Sequence, residues 1–168
     1  MVFTSFEFII FLIVFLIVFY LTKPAIRKYV ILIASVVFYI GNGLPMFLVL
    51  LFVVTNTYVA GVVLNKANRS HKRRAYYIFS FALNILLLLF FKYTNFFVSI
   101  LNSLLSRLNV GVNIGQPTLL MPLGLSFFVF QACTYIGSVY KGRMKEHSFV
   151  DVALFVMYFP TLLSGPIQ

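Results

Sequence analysis

From residue 6 to residue 22 the chain reads FEFIIFLIVFLIVFYLT, a run whose one charge is Glu7, and Lys23 follows at once. A run of this kind recurs along the chain. A membrane-crossing helix takes about 20 mostly apolar residues. In hydrocarbon a helix satisfies every backbone N–H and C=O within its own segment. Spans are predicted at roughly 6–22, 25–40, 45–64, 75–91, 119–140 and 149–163. Residues 94–108 mix Phe, Ile and Leu with Asn, Ser and Arg and read as an amphipathic interfacial or re-entrant helix. The Gly, Asn and Pro content of 109–118 marks a loop. The predicted fold class is all-α: a polytopic transmembrane helix bundle of about six spans, forming one membrane domain over 1–168.

The charges test that count. Lys23, Arg27 and Lys28 lie between the first two spans. Lys66, Arg69, Lys72, Arg73 and Arg74 lie between the third and fourth, and Lys141, Arg143 and Lys145 between the fifth and sixth. Six spans with the N-terminus outside put all three clusters on one side, which the positive-inside rule makes cytoplasmic. One span more or fewer would split them. Lys92 and Arg107 fall opposite, near expected helix ends, where long basic side chains reach the interface. The start has no Lys or Arg before its apolar core, so it reads as an uncleaved span and not as a secretory signal.

Composition agrees. The chain is 62% hydrophobic and 10% charged, against about a quarter charged in soluble domains. A net charge of +10 would suggest nucleic acid in a soluble protein. Here the charge sits between apolar runs and reads as topology, so no nucleic-acid partner is expected. The acids are Glu7, Glu146 and Asp151, which pair nowhere for acid–base work. His71 and His147 each stand in a basic loop without further ligands at metal spacing. Cys133 reads as a small core residue.

One span is unlike the others. MPLGLSFFVFQACTYIGSVYKGR, residues 121–143, carries Ser126, Gln131, Thr134, Tyr135 and Ser138. Pro122 suits a first helical turn. From there Gln131, Thr134, Tyr135 and Ser138 fall at i, i+3, i+4 and i+7, on one helical face. Lipid offers such groups no partner, so the face turns to protein. Two roles fit it: hydrogen bonds between helices, or the polar wall of a tunnel or substrate cavity. Gln131 is the strongest candidate for the second, being the most polar group at mid-span depth.

This stretch resembles the signature of the membrane-bound O-acyltransferase (MBOAT) family in its bacterial branch, which acylates alginate, peptidoglycan or teichoic acid. MVFTSFEFIIFL, LIASVVFY, FFKYTNFF and FPTLLSGPIQ resemble further blocks of that branch in the same order. Ser138 departs from it, standing where the branch often has Asp before VY. The resemblance covers essentially all 168 residues and implies the N-terminal part of a longer chain. It implies a catalytic histidine on a segment beyond Gln168, and neither His71 nor His147 matches its context. It further implies an acyl thioester donor as cosubstrate (acetyl-CoA or an acyl carrier), with no bound cofactor. The acceptor would be a cell-envelope polysaccharide, and the location the bacterial inner membrane. Expected partners are the lipid bilayer, a cytoplasmic donor carrier and an extracytoplasmic transferase. Ser126, Gln131, Thr134, Tyr135 and Ser138 are then candidate cavity-lining residues, and the SGP turn at 164–166 a helix break at the cavity mouth. The rival readings are half of a transporter or flippase, and an inert membrane scaffold. Paired broken helices bearing charges would favour the transporter.

Overall fold

The computed structural model describes residues 6–41, 43–66, 71–107, 115, 124–145 and 148–159. Those residues form six helices: α1 (Phe6–Leu21), α2 (Arg27–Gly41), α3 (Leu44–Lys66), α4 (His71–Arg107), α5 (Leu125–Tyr140) and α6 (Phe149–Met157). Among them α3 and α4 are long and apolar enough to cross a membrane, and α1 and α5 are shorter apolar helices.

Contacts between the helices fix their directions. Phe8 near the start of α1 meets Phe38 near the end of α2 at 6.0 Å, and Arg27 at the start of α2 lies over Phe19 near the end of α1. Arg73, in the first turn of α4, reaches carbonyls near the ends of both α3 and α5. Lys28 and Asp151, at the starts of α2 and α6, pair at 3.7 Å. So α1, α3 and α5 run one way and α2, α4 and α6 the other. One end of the bundle therefore collects Lys23, Arg27, Lys28, Lys66, Lys72, Arg73, Arg74, Lys141, Arg143 and Lys145. The three basic clusters of the sequence share a single rim.

The core lies between α2, α3, α5 and α6. Phe38, Leu50, Val53, Val54, Phe128 and Val129 are fully buried. About midway along the bundle, Phe159 sits edge-on to Phe11 and Phe15, with centroids at 5.6 and 5.1 Å. Lipid is as apolar as these side chains, so close packing rather than escape from water holds such helices together.

The structure differs from the sequence reading in three places. Residues 75–91 and 94–108 are not separate elements, because α4 runs unbroken through 37 residues, about 55 Å. It contains neither Gly nor Pro, and the Thr94 hydroxyl bonds back to the Phe90 carbonyl. Lys92 is consequently inside a helix and not at its end. The helix α5 starts at Leu125, after Gly124, and Pro122 lies outside the described residues. The helix α6 stops at Met157, short of the expected 163.

Candidate functional site

Nine residues make α6 about 14 Å long. It begins at the basic rim and ends about 14 Å from it, part-way along the bundle. Its start is built for the purpose. The Ser148 hydroxyl accepts the Asp151 N–H at 3.3 Å and donates to the Asp151 carboxylate at 2.5 Å. This is a capping arrangement, with an acid in the first turn. Its end is at Tyr158, which turns to extended backbone at φ −60°, ψ 100°.

Stopping a helix inside the bundle strands its last carbonyls. Two neighbouring helices supply what is missing. In a continued helix the Phe159 N–H would bond to the Phe155 carbonyl. It bonds instead to the hydroxyl of Ser35 on α2, at 3.4 Å. That hydroxyl donates to Ile31 O at 2.9 Å and is fully buried. The side-chain amide of Gln131 on α5 faces the released Phe155 carbonyl and the Val156 carbonyl; oriented with its nitrogen toward them, as two acceptors require, it donates at 3.1 and 3.2 Å. Gln131 is nine residues from Tyr140 at the rim, about 14 Å along α5, so both halves of the contact lie at one depth.

The four stripe residues and Ser126 have different surroundings. Gln131 and Ser138 are half-buried, and Tyr135 is buried against α3. There Gly61 leaves room for its ring: a Cβ at Gly61 would stand 3.1 Å from Tyr135 Cε1 and 3.2 Å from its hydroxyl. Tyr135 also borders a pocket of about 200 Å³ with Met144, Asp151 and Phe155, between the rim end of α5 and α6. Thr134 is exposed and bonds to Phe130 O at 2.8 Å on its own helix. At about 100° per residue it is about 60° round the helix from Gln131, at the edge of the stripe. Ser126 is half-buried in the first turn. The SGP turn and His147 lie outside the described residues. His71 is exposed at the start of α4.

Beyond the rim, α5 closes with Gly142 at φ 71°. Gly142 N–H bonds to Val139 O and Arg143 N–H to Ser138 O, both at 3.0 Å. That paired closure wants glycine at the left-handed position, which gives the KGR after the stripe a structural reason. A polar contact that the sequence reading passed over joins α3 to α4. The Asn56 amide donates to Ser80 O at 3.1 Å and to Asn84 Oδ1 at 3.2 Å. Asn84 is fully buried, and its own amide nitrogen has no partner among the described residues. Asn and Ser four apart inside an apolar run were the available signal. No group of His, Cys, Asp and Glu able to hold a metal occurs among the described residues.

The chain is 34% identical to a probable alginate O-acetylase of Pseudomonas aeruginosa, over 99% of its own length and 32% of the relative's. It is 32% identical to the corresponding protein of Azotobacter vinelandii, over 99% of this chain and 34% of that one. These relatives are members of the MBOAT family. A peptidoglycan O-acetyltransferase of Helicobacter pylori is 27% identical over 88% of the chain and 32% of the relative. The chain spans about a third of the length of these curated relatives. No family model and no solved structure matches it.

Proposed function

We propose that this chain is the N-terminal part of an inner-membrane O-acyltransferase. It crosses the bilayer six times, starts outside and keeps its basic rim in the cytoplasm. The whole enzyme moves an acyl group, acetyl in the preferred form, from a cytoplasmic thioester to hydroxyls of a cell-envelope polysaccharide. The observation that carries the reading is the end-to-end similarity to proteins named for alginate O-acetylation.

The geometry supports a place for these residues in that chemistry. In the reaction the acceptor oxygen attacks the thioester carbonyl, the C–S bond breaks, and the hydroxyl proton leaves with the thiol. The donor is on one side of the membrane and the acceptor on the other, so they meet near mid-depth. There water must be excluded to limit hydrolysis of the thioester. Irregular backbone at that depth is tolerated where it is buried in protein or lines a cavity. The end of α6, held by Gln131 and Ser35, is such a place. The proposed role of the polar face of α5 is to fix this break as a wall of the acyl-transfer cavity. The histidine expected from the resemblance would come from another segment of the whole protein. A cytoplasmic donor carrier and an extracytoplasmic transferase remain proposed partners.

The test uses the whole protein in sealed vesicles, with labelled acetyl thioester on the basic-rim side and acetyl-free polysaccharide on the other. Alkali-labile label on the polysaccharide is the expected result. Label remaining on the donor, with the protein inserted and folded, would overturn the reading.

A further inference from the structure

The corner of the rim where α3, α4 and α5 meet has an unusual division of labour. Arg73 is turned inward. Its Nε donates to Leu64 O at 3.2 Å, and one Nη donates to Val139 O at 3.3 Å and Tyr140 O at 3.0 Å. Its guanidinium lies 5.5 Å from the Tyr140 ring centre, and Tyr140 stacks on Tyr77 at 4.3 Å and 14°. The result is a fixed floor of one cation and two aromatic rings. Around it stand cations that the floor does not use. Lys72 and Arg74 flank Arg73 in sequence, Lys66 follows Leu64 by two residues, and Lys141 and Arg143 follow Tyr140; all five are exposed. Tyr76, half exposed, stands on the next turn. The nearest described acid, Asp151, is engaged by Lys28 and Ser148 on the α6 side.

We propose that this corner binds the headgroup of an anionic phospholipid. Orientation of the chain needs only a surplus of Lys and Arg in its loops. Here five exposed cations neighbour in sequence the residues of one preorganised floor, at the level where tyrosines favour the membrane edge. Basic pockets between helices on the cytoplasmic side hold lipid phosphates in this way. The occupant follows from charge and depth: a phosphodiester whose acyl chains lie against the apolar flank of α4, where Ile78 and Phe79 are exposed. The proposal rests on the membrane reading but not on acyl transfer.

The experiment measures the thermal midpoint of the whole protein in neutral detergent during titration with phosphatidylglycerol or phosphatidylcholine. Wild type should be stabilised by phosphatidylglycerol at concentrations where phosphatidylcholine has no effect. The double substitution Lys72→Gln/Lys141→Gln should weaken that response about 25-fold, at about fivefold per charge removed from the surface. Lys23→Gln/Lys145→Gln removes the same charge elsewhere on the rim and should leave the response nearly intact. Equal stabilisation by the two lipids, or equal weakening in the two double variants, would overturn the proposal. Either result would leave acyl transfer by the wild type untouched, so the two readings fail separately.

Discussion

Replacing Arg73 with Ala removes three hydrogen bonds to carbonyls at the ends of two helices, one of which, Val139 O, keeps the Gly142 N–H. Leu64 lies in the last turn of α3, and Val139 and Tyr140 end α5. A bond to a charged group contributes about 1.5–3 kcal/mol when well shielded. Arg73 is only half-buried at the rim, where water competes, so about 1 kcal/mol per bond is the better figure. The expected loss is about 3 kcal/mol, including the favourable meeting of a cation with two helix C-termini. Arg73→Lys keeps the charge but not the planar fork that spans two helices, and should recover less than half of it. Unfolding of the whole protein in mixed micelles with increasing dodecyl sulfate measures both variants. If Arg73→Ala lies within about 0.5 kcal/mol of wild type, or Lys restores full stability, the fork is not what joins α3 to α5.

Other substitutions test other contacts. Gly61→Ala should push Tyr135 aside and cost about 1–2 kcal/mol by overpacking, read in the same unfolding assay. Asn56→Leu should cost about 1–2 kcal/mol through two lost interhelical bonds, while Asn84→Leu should cost less, because it also removes a buried donor that has no partner. Gly142→Ala should cost about 1 kcal/mol from its left-handed backbone alone, since open space surrounds the new methyl group.

The helices and their alternation were legible because hydrocarbon leaves the backbone few options, and because ten basic residues mark one end of the bundle. The length of α4 was legible in principle. The polar residues after Tyr93 suggested a boundary, yet polarity does not end a helix, and no Gly or Pro does so before Arg107. The sequence reading ran α6 on to the SGP at 164–166, and neither its stop at Tyr158 nor the partners that make that stop tolerable were legible. Ser35 and Phe159 are 124 residues apart, and nothing local to either announces the bond. The same holds for Arg73, which counts as topology charge in the sequence and becomes a clamp only when α3 and α5 meet. On α5 the apolar residues Phe128, Val129, Ile136 and Val139 are fully buried, whereas of the stripe only Tyr135 is buried and Gln131 and Ser138 are half-buried. Period alone could not tell that Thr134 would turn outward at its edge.

The central claim is that the mid-depth end of α6, fixed by Gln131, belongs to the acyl-transfer cavity. The most direct measurement compares Gln131→Leu with wild type in the whole protein, recording acyl transfer and inserted, folded protein side by side. The account predicts a fall in transfer of at least tenfold at nearly unchanged insertion, with a stability loss of about 1–2 kcal/mol from two released carbonyls. Transfer that stays at the wild-type rate per folded molecule would contradict it, and would make the polar face of α5 a packing device alone.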